Sequence, residues 1–231
     1  MKLKKNYQSL LNRKKVFIFD FDGTIVNSSK TVIKLINFIL KSEKKKIIKK
    51  NKIKKYLSLG GDDLIKNAFH LSNKYEINKY KNLFRKLYYS EKSKKNDLFP
   101  GVKLFLNYLH QKKIKICLCT NKPKKLLFKI LNSLNLKYLF SLILTPDDLF
   151  KKKPDPIYIK TILKKFKIKK KDVIYIGDSI IDYKLAKENG LDFYLYWNID
   201  CDIPKKILSK IKNDNSMFSN YSELKRFHES N

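Results

Sequence analysis

Val16-Phe17-Ile18-Phe19-Asp20-Phe21-Asp22-Gly23-Thr24 sets four apolar residues ahead of two carboxylates and a glycine. An apolar run without alternation predicts a strand covered on both faces, as in a parallel sheet flanked by helices. The acids fall where the strand ends, which in such sheets is the edge where ligands bind. If the extended backbone persisted, Asp20 and Asp22 would point the same way.

Working outward, similar runs recur at Ile114–Cys119, Val173–Ile176 and Phe193–Tyr196, with a weaker one at Leu142–Leu144. Helical spacing separates them. Val102–Gln111 carries Val102, Phe105, Leu106 and Leu109 on one face, Lys124–Leu134 follows Pro123, and Ile157–Phe166 follows Asp155-Pro156. Ile181–Asn189 stops at Gly190, a left-handed helix end. This alternation predicts an α/β fold, a doubly wound parallel sheet with a Rossmann-like core.

Residues 29–95 break the pattern. Thr31–Leu40, Asp62–Leu71 and Asn78–Ser90 read as helices and no strand is convincing among them. The expected organisation is a catalytic core from 1–28 and 96–231, with 29–95 as an inserted helical cap domain. Lys52–Ser58 and Ser209–Ser219 carry no assignable pattern.

The formal net charge is +32, and only three of the 53 basic residues are arginines: Arg13, Arg85 and Arg226. Lysines spread over the whole chain, with scarce alanine and abundant Ile, Asn, Phe and Tyr, fit AT-rich codon usage better than a nucleic-acid patch. A patch would favour arginine for bidentate contacts. Polyanion affinity at low salt still follows from the charge, but no specific nucleic-acid partner is expected. No apolar segment approaches the length of a membrane span, and no secretory signal is visible. Cys117, Cys119 and Cys201 lack metal-ligand spacing, and the first two alternate as small apolar strand residues. A soluble protein of the reducing cytoplasm is expected, its oligomeric state open.

Six glycines survive in 231 residues, and two of them, Gly23 and Gly177, sit beside carboxylates at strand ends. Asp178 and Asp182 cluster after Val173–Ile176, Thr120-Asn121 ends another strand, and Lys153 precedes Pro154-Asp155-Pro156 at a helix start. Asp182 at a helix start could also complement the helix dipole. Leu59-Gly60-Gly61-Asp62-Asp63 reads equally well as a source of backbone amides for a substrate carboxylate or as a plain turn before a helix capped by Asp62. His70, His110 and His228 are isolated. Tyr75, Tyr80, Tyr88 and Tyr89 suit cap core or surface rather than a stacking platform.

These four strand-end groups resemble, in order, the four signatures of the haloacid dehalogenase-like hydrolases. They are Val16–Thr24, Leu118-Cys119-Thr120-Asn121-Lys122-Pro123, Lys153-Pro154-Asp155-Pro156 and Ile176-Gly177-Asp178-Ser179-Ile180-Ile181-Asp182. The wording of the second and third, and Phe99-Pro100-Gly101-Val102 at re-entry to the core, is most similar to the phosphoglycolate phosphatase subgroup, whose cap sits where 29–95 is inserted. One departure is Tyr196-Trp197-Asn198 after the last expected core strand, where related phosphatases usually carry a glycine-bearing loop.

The resemblance implies roles. Asp20 is the nucleophile and becomes an aspartyl-phosphate. Asp22 protonates the leaving alkoxide and then activates water, and Lys153 sits between nucleophile and phosphate. Mg²⁺ is held by the Asp20 carboxylate, the Asp22 backbone carbonyl and Asp178, with Asp182 supporting the site. Thr120 holds phosphoryl oxygens, with Asn121 and Gly23 also on the substrate side. The implied reaction is Mg²⁺-dependent hydrolysis of a small phosphorylated acid such as 2-phosphoglycolate. The alternatives are another sugar-phosphate or nucleotide phosphatase or phosphomutase of the superfamily and, outside enzymes, a lysine-rich nucleic-acid-binding protein. Two unit charges at about 4 Å repel by about 4 kcal/mol at an effective dielectric of 20, so a carboxylate approaching an anionic phosphate needs cations nearby.

Overall fold

A strand stays buried on both faces only if each face finds its own helical layer. In the computed structural model, which describes residues 13–53, 56–92, 97–198 and 200–224, that condition is met on every central strand. The strands are β1 (Val16–Phe19), β2 (Lys115–Cys119), β3 (Leu142–Leu144), β4 (Val173–Gly177), β5 (Asp192–Tyr196) and β6 (Met217–Phe218). They form one sheet in the order β3-β2-β1-β4-β5-β6, with every pair parallel.

Alternation sorts the side chains. Phe17, Phe19, Ile116, Leu118, Ile174 and Ile176 join one apolar cluster, and Val16, Ile18, Cys117, Cys119, Val173 and Tyr175 join the other. Burial pushes the Cys117 thiol up to about 12 and Cys119 well above its usual range, so both behave as small apolar residues.

The helix expected over Lys124–Leu134 ends one residue earlier, at Ser133, with Leu134 closing it. The remaining helices follow their apolar periodicity. In chain order they are α1 (Ser29–Ser42), α2 (Lys50–Ile53), α3 (Gly61–Phe69), α4 (Lys74–Ser90), α5 (Val102–Gln111), α6 (Lys124–Ser133), α7 (Pro146–Leu149), α8 (Ile157–Phe166), α9 (Ile180–Glu188) and α10 (Lys205–Asn213). Helices α5 and α6 and the inserted block cover the first cluster, and α8, α9 and α10 the second. The four inserted helices α1–α4 form the cap. The expected boundary at 95/96 lies outside the described residues, as does His228.

The sequence reading needs small corrections. Strand β2 begins at Lys115 rather than Ile114, whose N–H still closes the end of α5 on Leu109 O at 3.0 Å. The unassigned stretch Ser209–Ser219 holds the end of α10 and all of β6, and Lys52 and Ile53 belong to α2. Asp62 does not cap α3. Gly60 takes that position at φ 91°, and Asp62 lies in the first turn, bonded to Lys81.

The two crossings between cap and core run side by side. Val26 bridges Leu98 in antiparallel sense, Asn27 N–H donates to Asp97 O at 2.7 Å, and Phe99 N–H donates to Ile25 O at 3.1 Å. Among the described residues no helix is long and apolar enough to cross a membrane.

Candidate active site

In a parallel sheet the strand carboxyl ends share one edge, and the loop after a central strand lies between loops from both sides. Strand β1 is central here, flanked by β2 and β4. The loops after β1, β2, β4 and β5, the Lys153 segment and the underside of the cap enclose a cavity of about 110 Å³. Asp20, Asp22, Gly23, Thr120, Asn121, Lys153 and Asp178 all line it.

The backbone after β1 does not stay extended. Ile25 and Val26 N–H both donate to Phe21 O, and Gly23 N–H donates to Val26 O, which curls 21–26 into a tight loop. The curl sends the two acids to different partners. Asp20 accepts from Lys153 Nζ at 2.7 Å, while Asp22 accepts from Lys122 Nζ at 2.9 and 3.0 Å. Gly23 permits the curl in two ways. Its φ is +85°, and a Cβ there would lie 2.1 Å from Asp178 Oδ2, inside the carboxylate.

Lys153 is 5% exposed and bridges two carboxylates, Asp20 and Asp182, each at 2.7 Å. Burial works against its ammonium, but Asp182 and Asp20 outweigh burial and hold its pKa above the usual lysine value. Asp182 is fully buried and fully bonded. Oδ1 accepts from Lys153 and from Tyr175 OH at 2.9 Å, and Oδ2 closes a capping box with Ser179 Oγ at 2.6 Å. Its place at a helix start therefore does two things: it caps α9 and it anchors the lysine. Gly177 makes room for it, since a Cβ there would lie 2.5 Å from Asp182 Cβ.

Asn121 ties the second signature to the third. Its Oδ1 accepts from Lys153 N–H at 2.8 Å and its Nδ2 donates to Lys153 O at 3.4 Å, so both ends of the amide hold the lysine's backbone. Thr120, 1% exposed, accepts from Lys122 N–H at 3.1 Å and keeps its own hydroxyl proton to donate.

One oxygen from each of Asp20, Asp178 and Asp182 lies within 4.8 Å of the other two. Three buried carboxylates face one ammonium, so the site carries unbalanced negative charge. Burial, then Asp182, push the Asp20 carboxyl up to about 7 against the pull of Lys153. Burial, then Asp20, push Asp178 well above the carboxylate range. Asp178 is also oriented, by Thr24 Oγ1 at 3.0 Å and Asn198 Nδ2 at 3.3 Å. Hard oxygens, excess negative charge and fixed orientation fit a small divalent cation. The Asp22 side chain turns to Lys122 rather than to the carboxylate cluster, so its backbone carbonyl is the group it can offer a cation.

Four participants went unassigned in the sequence. Lys122 sits inside a quoted signature but is one lysine among very many. In the structure it is buried, bonded to Asp22 and to Tyr88 OH at 3.2 Å, and 4.4 Å from the Tyr88 ring centroid. Asn198, at the Tyr-Trp-Asn departure, donates to Gly23 O at 2.7 Å as well as to Asp178. Beyond it, Asp200 accepts from Ser29 Oγ at 2.6 Å, and Asp202 accepts from Ser58 Oγ and from Ile180 N–H, both at 2.8 Å. The loop after β5 thus clasps the cap at two points. The apolar alternation of β5 carries no sign of these contacts, which join residues 144 and 171 apart.

Tyr80 is buried in the cap and Tyr75 and Tyr89 are exposed, as expected, whereas Tyr88 is buried against Lys122 of the core and lines the cavity. His70 and His110 lie exposed and away from the cavity lining.

Comparison with known proteins agrees with this geometry. The sequence profile of the haloacid dehalogenase-like hydrolases matches residues 17–196. The phosphoglycolate phosphatase of Cereibacter sphaeroides is 28% identical over 183 residues, which is 78% of this chain and 83% of that one. That of Vibrio cholerae is 29% identical over 185 residues, 76% of this chain and 81% of its own. The crystal structure of a predicted phosphoglycolate phosphatase from Haemophilus somnus superposes with a TM-score of 0.81 at 26% identity, covering 93% of this chain and 97% of that one.

Proposed function

This chain belongs to the haloacid dehalogenase-like hydrolases, and from that premise we propose that it is a cytoplasmic, Mg²⁺-dependent phosphatase of a small phosphomonoester, 2-phosphoglycolate first among candidates. The observation that carries the reading is the buried Asp20 carboxylate at the end of β1, held at 2.7 Å by Lys153 in a cavity between core and cap that also receives Asp22. The relatives named phosphoglycolate phosphatase support the substrate. The cavity of about 110 Å³, lined by core and cap together, suits a small ester.

In this reading Asp20 attacks phosphorus and forms a phosphoaspartyl bond as the ester P–O bond breaks. Asp22 gives a proton to the departing alkoxide, then takes one from the water that cleaves the phosphoaspartate. Lys153 lowers the repulsion between Asp20 and the phosphoryl oxygens, and Asp182 keeps it in place. Thr120 donates its hydroxyl to a phosphoryl oxygen. Asn121 fixes the Lys153 backbone, and Gly23 lets Asp178 approach. Mg²⁺, held by the Asp20 carboxylate, the Asp22 carbonyl and Asp178, would supply charge neutralisation for the phosphoryl oxygens. The cap excludes water while the phosphoaspartate forms.

The test is phosphate release from 2-phosphoglycolate and a panel of other monoesters, with and without EDTA, for the wild-type protein and Asp20→Asn. Asp20→Asn is expected to lose about 10⁴-fold or more in turnover with an unchanged circular dichroism spectrum. Substantial turnover in that variant would overturn the nucleophile, and rapid transfer to a second sugar hydroxyl in place of phosphate release would point to a phosphomutase.

A further inference from the structure

Three cations line the cavity among the described residues: Lys122, Lys153 and Arg85. Two are committed. Lys153 is bonded to Asp20 and Asp182, and Lys122 to both oxygens of Asp22. Arg85 differs. It projects from α4 between Phe84 and Tyr88, which line the same cavity, and its Nη2 lies beside Gly61, 3.9 Å from where a Cβ would sit. No described side chain forms an ion pair or hydrogen bond with its guanidinium.

The acids that share the lining do not claim it. Asp20 and Asp22 hold the two lysines, Asp178 accepts from Thr24 and Asn198, Asp200 from Ser29, and Asp202 from Ser58 and Ile180 N–H. Asp62, on the next turn of the cap, pairs with Lys81 and Lys152. The cavity wall thus includes one solvent-exposed guanidinium that no described side chain engages, contributed by the cap, whereas the nucleophile and its lysine come from the core. In a chain whose basic residues are nearly all lysine, the cap's single arginine stands at this wall. A planar fork of N–H donors matches a carboxylate in a way an ammonium does not.

Resting on the phosphatase reading of the same cavity, we propose that Arg85 is a specificity-determining residue that binds a carboxylate at the end of the substrate remote from phosphorus, so that the substrate class is a short phosphorylated carboxylic acid. The phosphoryl end goes to the core and the carboxylate end to the cap. Both ends would sit in one cavity of about 110 Å³, which favours a short carbon chain between them.

Three esters of nearly equal size separate charge from shape: 2-phosphoglycolate ends in a carboxylate, ethyl phosphate in a methyl group and phosphoethanolamine in an ammonium. The wild-type protein is expected to rank them in that order by kcat/KM. Arg85→Ala should lower the ratio of 2-phosphoglycolate to ethyl phosphate by about 10–100-fold, the range for a charged hydrogen bond, mainly through KM. Arg85→Lys should restore part of that ratio, and Arg85→Glu should turn the preference toward phosphoethanolamine. Because each ratio is internal to one preparation, partial misfolding cancels. Ratios within twofold of wild type in Arg85→Ala and Arg85→Glu would overturn the role of Arg85 and leave the phosphatase reading intact. If the wild-type protein turns over none of the three, the wider panel decides: hydrolysis of another monoester overturns the small-acid substrate and this role, and release from none overturns the phosphatase reading as well.

Discussion

The floor and the roof of the cavity are built differently. On the floor, Asp20 and Asp178 are 7% exposed, Lys153 5% and Asp182 0%, and each is tied to at least one other buried group. The roof meets the floor through Tyr88 on Lys122, Ser58 on Asp202, Ser29 and Lys50 on Asp200 and the exposed Lys152–Asp62 pair, while no described side chain engages Arg85. Buried bonds in a low dielectric fix positions tightly, and exposed pairs hold little. On the proposed reading the difference is a division of labour: reacting groups are preorganised by the sheet, and recognition falls to the more loosely tied cap. Floor variants should therefore cost stability and kcat together, and roof variants should act on KM.

The largest effect on the fold is expected from Asp182→Ala. It leaves Tyr175 and Ser179 without their acceptor and removes one of the two carboxylates around Lys153. Breaking a buried charge network costs about 3–5 kcal/mol. Because Lys153 retains Asp20, about 3 kcal/mol is expected, a fall of about 6–12 °C in melting temperature. A shift under 2 °C would show that the floor is not the rigid half.

Next comes Gly23→Ala. The new Cβ would fall inside the Asp178 carboxylate and at a φ of +85°. About 1–3 kcal/mol of stability is expected to be lost, with kcat falling by at least an order of magnitude because Asp178 must move. Calorimetry and steady-state kinetics read the two separately. Unchanged kcat at reduced stability would mean that the position of Asp178 is not critical to turnover.

On the roof, Ser58→Ala removes one clasp of the loop after β5. A single hydrogen bond of this kind contributes about 0.5–1.5 kcal/mol. The expected outcome is a KM raised about 2–10-fold with a smaller change in kcat, from initial rates over a substrate series. A kcat loss as large as that of Gly23→Ala would erase the distinction between the two halves.

The same division explains what the sequence discloses. The floor was legible because strand ends carry a local signature: apolar runs at Val16–Phe19 and Val173–Ile176 stop at Asp20 and Asp178, and scarce glycines mark the tight places. Lys153 was legible only through Pro154-Asp155-Pro156 beside it. Lys122 was quoted but given no role, because in this composition a lysine carries no information until its partner is known. Asn198, Asp200 and Asp202 bond to residues far away in the chain, and no periodicity encodes that. Strand β6 is two residues long, too short for any pattern, and is held by pairing to Leu195 and Tyr196. The start of α3 was misplaced because Asp62 looks like a cap, while a glycine with positive φ takes the position and frees Asp62 for Lys81 and Lys152.

The smallest effect sharpens the comparison by asking whether location or burial decides. Asp148 belongs to the core but lies near its surface, closing a capping box on Thr145 and pairing with Lys124. Burial alone would raise its pKa, but Lys124 and Thr145 outweigh it and hold the carboxyl below its usual value. A lowered folded pKa means that the ionised form stabilises the fold. That contribution is complete above the unfolded value of 3.8 and is lost as pH falls through the folded one. Asp148→Asn should therefore cost only about 0.5–1 kcal/mol at pH 7, as exposed pairs do, or about 1–4 °C in melting temperature. The gap to wild type should narrow as pH drops below 4. Melting curves of both proteins from pH 7 to pH 3 measure this. A gap that stays constant to pH 3 would place its origin in the shape of the side chain rather than its charge, and a loss as large as that of Asp182→Ala would make membership of the core, not burial, the property that matters.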